Sequence, residues 1–101
     1  MAVQIPGELV SEIIQAIRVK ETNASVQEVN ALIAAAAADL RRQGVDRIDY
    51  EDPLTRQVIK LYCKGNYGYD KDSEKFLASY ARLSAGMALF SEYDDGGDDD
   101  G

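Results

Sequence analysis

The chain has 101 residues, 46% apolar and 29% charged, the profile of one soluble folded domain with no room for a second catalytic one. It carries a formal charge of −7, a single cysteine, Cys63, and no histidine, which excludes an internal disulfide, the usual zinc sets and histidine-based triads. No apolar run approaches the roughly 18–20 residues of a membrane span, and Met1-Ala2-Val3-Gln4 lacks the basic start and apolar stretch of a secretory signal, so a cytosolic protein without membrane contact is expected.

After Pro6-Gly7, Leu9, Ile13 and Ile17 recur every four residues beside Val10 and Ile14, while Glu8, Glu12, Gln15 and Arg18 lie mainly on the other side. That spacing predicts an amphipathic helix over about 8–18. Lys20-Glu21-Thr22-Asn23-Ala24 is too polar to continue the stripe and reads as a turn. Ser25-Val26-Gln27-Glu28 matches a capping box, predicting a second helix over about 26–43. Val26, Val29, Ile33 and Leu40 form its apolar face. The run Ala34 to Ala38 favours helix and lets a neighbour approach closely. Arg41 and Arg42 suit the negative end of its dipole, and Gly44 supplies a left-handed stop.

Residues 45–51 alternate loosely and are expected to lie extended across the bundle. Asp52-Pro53 then offers a carboxylate cap with proline at the first helical position, and Leu54, Val58, Leu61 and Tyr62 form the stripe of a third helix over about 53–65. Gly65, Asn66 and Gly68 are read as its stop, with Tyr67 and Tyr69 packing on the bundle end. Asp70-Lys71-Asp72-Ser73 opens a fourth helix over about 73–91, in which Phe76, Tyr80, Leu83, Met87 and Phe90 make a four-three-four-three seam. Gly86 is expected to mark a close crossing or the point where the final turn bends away. No internal repeat is visible. The fold class expected is therefore all-α, a small bundle of four helices.

The charge is unevenly placed. Residues 92–101 hold six acids and no base, whereas residues 1–91, with 11 basic and 12 acidic groups, sum to −1. The expected organisation is a helical domain over 1–91 followed by a disordered acidic tail over 92–101, because close like charges and three glycines offer too little apolar surface to offset ordering entropy. The densest basic spot, Arg41-Arg42 with Arg47, is interleaved with Asp39, Asp46 and Asp49, which argues against duplex binding.

Catalytic and metal-binding chemistry finds little support. Cys63 sits among apolar residues with no histidine anywhere to act as its base, so a buried structural thiol is expected. Asp70, Asp72 and Glu74 resemble the opening of a calcium loop, but Lys75 stands at the required glycine position and Ala81 at the bidentate acid position. No phosphate-cradling glycine loop is present. No enzyme activity, catalytic residue, cofactor or metal is expected.

Asp52-Pro53-Leu54, then Val58-Ile59-Lys60-Leu61-Tyr62-Cys63-Lys64-Gly65-Asn66-Tyr67-Gly68-Tyr69-Asp70, then Glu74-Lys75-Phe76, Ser79-Tyr80 and Leu83, resembles the head-to-tail connector family of tailed bacteriophages, also called adaptor or head-completion proteins. The short first helix and the long alanine-bearing second helix ending in Gly-Val are similar too, so the resemblance covers about residues 8–91. Two departures stand out. Lys20-Glu21-Thr22-Asn23 replaces the acidic bend found after the first helix in such proteins, and the Asp-Gly tail lies outside the shared pattern.

The resemblance implies a structural virion protein involved in head completion after DNA packaging. It implies a homo-oligomeric, dodecameric ring beneath the portal protein that gives the stopper or tail-completion protein its docking surface. Genomic DNA passes through without specific binding. Its location is then the head-to-tail interface of the virion, and the host cytoplasm during assembly.

Two regions are candidate partner surfaces. One is the Val45–Glu51 connection, where Ile48 and Tyr50 have no helical stripe to join and either meet a partner or cover the bundle end. The other is Phe90 and Tyr93 with Asp94 and Asp95, the end that the resemblance assigns to portal contact. The rival reading is a cytosolic helical protein-binding module, an acidic regulator or DNA mimic. A mimic needs acids spread along a folded face, and here six of them crowd into a glycine-bearing segment.

Overall fold

Each apolar stripe becomes a helix in the computed structural model, which describes residues 5–67 and 71–90. The order is α1 (Gly7–Ile17), α2 (Asn23–Gln43), α3 (Pro53–Asn66) and α4 (Ser73–Ala88), with no strand among the described residues. None of these helices is long and apolar enough to cross a membrane.

The helix ends show where local chemistry departs from the pattern. Helix α1 stops at Arg18, whose φ of 62° is left-handed and whose N–H reaches the Gln15 and Ile14 carbonyls. Helix α2 starts three residues earlier than the Ser25 box predicts. Thr22 is its cap: the Thr22 hydroxyl accepts from the Ser25 N–H at 3.1 Å, and the Ser25 hydroxyl accepts from the Thr22 N–H at 2.8 Å. Ser25 Oγ also donates to the Lys20 carbonyl at 2.8 Å, so the buried hydroxyl is fully used as the third helical residue, a role a cap position would not give it.

Helix α3 begins as expected, with Asp52 accepting from the Thr55 N–H at 2.9 Å, but runs to Asn66. Gly65 is thus inside the helix rather than its stop. Helix α4 ends at Ala88, three residues short of expectation. The N–H groups of Leu89 and Phe90 bond to the Gly86 and Met87 carbonyls at 3.1 and 3.0 Å, tightening the last turn and taking Phe90 off the seam. Gly86 therefore lies near the helix end, and no neighbour stands within 4 Å of a Cβ placed there, so it marks no close crossing.

Side-chain pairs give the topology. Glu8 and Glu12 meet Arg56 and Lys60, so α1 and α3 run in the same sense. Asp39 meets Tyr80 and Gln43 meets Ser84, so α2 and α4 also run in the same sense. Tyr62 against Tyr80 and Lys64 against Phe76 set α3 antiparallel to α4. The chain therefore goes up, down, up, down. Helices α1 and α4 each pack on the α2–α3 pair and not on one another.

The core joins Leu9, Ile13 and Ile14 of α1 to Val29, Ile33 and Leu40 of α2, to Val58, Ile59 and Cys63 of α3, and to Met87 of α4. The segment between α2 and α3 has no regular structure, yet it contributes Val45, Ile48 and Tyr50.

Candidate functional site

The alternating topology gathers helix termini at two ends. One end carries the C-termini of α2 and α4 with the N-termini of α1 and α3; the other carries the reverse set. A Cβ placed on Gly44 would stand 3.9 Å from the Ala88 Cβ, so the last residues of α4 sit beside the stop of α2. Immediately beyond, Leu89 is 85% exposed and Phe90 54% exposed, the large apolar side chains that remain exposed among the described residues. Two consecutive apolar residues at the tip of a helix, followed in the sequence by six acids, make a surface suited to a partner with an apolar pocket and basic rim.

The predicted partner residues divide. Ile48 and Tyr50, at 7% and 5% exposure, belong to the core and cover the bundle end. Burial raises the Tyr50 phenol above its ordinary pKa, with Arg41 pulling the other way. The outer surface there is made instead by Arg47, Asp49 and Glu51. Phe90 is at the surface, whereas Tyr93, Asp94 and Asp95 lie outside the described residues, as does all of segment 92–101 and Tyr69. Leu89 escaped the sequence reading. The signal available was its position between Met87 and Phe90, off the four-three seam.

A second feature is the cleft between α1 and α3, about 370 Å³, lined by Glu12, Glu51, Pro53, Arg56, Gln57 and Lys60. Arg56 donates to the Tyr50 carbonyl at 2.6 Å and forms ion pairs with Glu8 at 3.1 Å, Glu12 at 3.3 Å and Glu51 at 3.7 Å. Lys60 pairs with Glu12 at 2.7 Å, and that hydrogen bond, aided by the charges of Lys60 and Arg56, holds the Glu12 carboxyl below its ordinary range. The cations are already partnered, so the cleft acts as a clasp between helices and offers no unmatched charge to a ligand.

The third is a groove of about 300 Å³ at the opposite end from Leu89, lined by Ala16, Ile17, Arg18, Lys64, Asp72 and Phe76. The Lys64 ammonium lies 4.5 Å from the centre of the Phe76 ring.

Cys63 is fully buried, and desolvation pushes its thiol up to about 12, so no thiolate is available near neutral pH. Among the described residues no group of His, Cys, Asp or Glu is arranged to hold a metal ion. No protein-family model, curated protein or solved structure matches this chain.

Proposed function

We propose that this chain is a structural head-to-tail connector of a tailed bacteriophage, assembling as a ring under the portal after DNA packaging and offering a docking surface to the stopper and tail. Three observations support the reading. The segment that carries the resemblance is the one that joins α3 to α4: Tyr62 meets Tyr80 edge to face with ring centroids 5.1 Å apart, Cys63 is buried, Lys64 covers Phe76 and Gly65 receives Leu77. A motif whose residues interlock two helices belongs to the scaffold, which suits a protein whose work is assembly.

The observation that carries the proposal is the Leu89-Phe90 tip. It stands at the end that the resemblance assigns to portal contact, and it leaves apolar surface for a partner to bury. Residues 1–91, with a charge sum of −1, give passing DNA no net positive charge to hold it.

The test is native mass measurement or sedimentation of the purified chain with and without a purified phage portal. Ring formation on the portal, with no retention of duplex DNA at about 0.15 M salt, is the expected result. A chain that ignores every portal tested and stays monomeric on it sinks the reading.

A further inference from the structure

The two ends of the molecule carry complementary chemistry. At one, Leu89 and Phe90 run on into Ser91-Glu92-Tyr93-Asp94-Asp95. At the other, the groove between α1, α3 and the start of α4 presents Arg18 and Lys64 over the partly buried Ile17 and Phe76. Lys71 and Lys75 stand close in sequence to its one acid, Asp72, which occupies the N-cap of α4. Neither Arg18 nor Lys71 has a carboxylate partner among the described residues.

Among the described residues Arg18 is also the one non-glycine at positive φ. That left-handed helix-stop position is commonly glycine, so holding an arginine there strains the backbone while placing a cation at the groove's edge.

We propose that this groove receives the Glu92–Asp95 segment of a second copy of the chain, carboxylates against Arg18 and Lys64 and the Tyr93 ring against the apolar floor. Reach decides between copies. From Phe90 back to the level of Phe76 is about 20 Å along α4 at about 1.5 Å per residue. Fully extended, Tyr93 lies within about 10 Å of Phe90 and Asp94 within about 14 Å, so the Tyr93 ring cannot seat on the floor at Phe76 of its own groove. A neighbour's groove has no such limit.

The contact is head-to-tail, the heterologous kind that closes into a ring or runs on as a filament. It rests on the connector reading only for its role, as the neighbour-to-neighbour link of the ring. The contact itself needs no portal.

The experiment mixes ¹⁴N and ¹⁵N copies of the full chain and couples amines to carboxylates with a zero-length carbodiimide. Alongside it, sedimentation is followed up to millimolar concentration at about 0.01 M and about 1 M salt, where the screening length falls from about 30 Å to about 3 Å. Expected are mixed-isotope links from Asp94 or Asp95 to Lys64 or Lys71, and self-association that salt dissolves. Arg18→Gly removes the cation while suiting the left-handed backbone, so it should keep the fold and weaken association by about tenfold, the equivalent of about 1.4 kcal/mol.

A chain monomeric throughout the series overturns the proposal. So do links confined to one isotope, which would mean that the segment folds onto its own copy, and association that Arg18→Gly leaves intact. Because no portal is present, a negative result leaves portal docking standing, and a failure on the portal leaves this contact standing.

Discussion

A carboxylate drawn into a helix interface keeps its charge only where donors converge on it, and Asp39 has three. Its Oδ2 accepts from the Tyr80 hydroxyl at 2.5 Å and from Gln43 Nε2 at 2.9 Å, and its Oδ1 accepts from Arg42 Nε at 3.0 Å and Nη2 at 2.6 Å. The Tyr80 bond is the largest cause of an Asp39 carboxyl held below its ordinary range. Tyr80→Phe should cost about 1–2 kcal/mol in urea unfolding, since the ring still packs while the carboxylate loses its most buried donor. The pH dependence follows with a definite sign. With a folded-state value below the unfolded one of about 3.9, Asp39 adds stability that is present above that value and is lost as pH falls through the folded one. Tyr80→Phe brings the two values closer, so urea midpoints of the variant should fall less between about pH 4 and pH 2 than those of the parent. A parallel fall in both proteins would show that Asp39 is indifferent to Tyr80. Cys63 gives a second reading of the interior. With its thiol pushed up to about 12 and its surface fully covered, it should react with a disulfide reagent at pH 8 only as fast as the fold opens. Labelling that ignores urea would contradict that burial.

Helix existence was readable from spacing, because stripes such as Leu9, Ile13 and Val58, Leu61 need only the 3.6-residue period to face a core. Helix ends were less so. The Ser25 box points to a start at Val26, whereas Thr22 takes the cap because Ser25 Oγ reaches the Lys20 carbonyl, a contact that exists only after the turn has folded. Gly65 is the sharper case. In sequence, glycine after Lys64 and before Asn66 looks like a stop, yet a Cβ there would stand 2.5 Å from both Cγ and Cδ2 of Leu77 and 3.3 Å from the Ser73 carbonyl. The glycine lets α4 pack against α3 while α3 continues. Gly65→Ala sets a helix-propensity gain of about 1 kcal/mol against an overpacking cost of about 1–3 kcal/mol, and the backbone oxygen limits relaxation. A net loss of about 1 kcal/mol is expected in thermal or urea unfolding. Leu77→Ala in the same chain should remove most of that penalty, as coupled neighbours do. A stabilised Gly65→Ala variant would mean that the α3–α4 spacing is looser than described.

Over the whole molecule, pairs 41 to 48 positions apart in sequence set the topology, and no local pattern announces them: Asp39 with Tyr80, Gln43 with Ser84, Glu8 with Arg56 and Glu12 with Lys60. For the same reason Ile48 and Tyr50 looked available to a partner. Lacking a stripe of their own, they show their burial only once α2 and α3 are placed around them. The tip of α4 is the converse, because Leu89 shares in no buried face and its substitution separates folding from docking. At 85% exposure, Leu89→Asp should change stability by no more than about 0.5 kcal/mol. If the tip docks on a portal, the same change places a charge where apolar surface is to be buried, and portal association should weaken by about tenfold or more. Leu83→Asp serves as the contrasting variant, since Leu83 packs against the core and its loss should lower stability and portal association together. Equal portal association by Leu89→Asp and the parent, both fully folded by circular dichroism, would place portal contact elsewhere on the molecule.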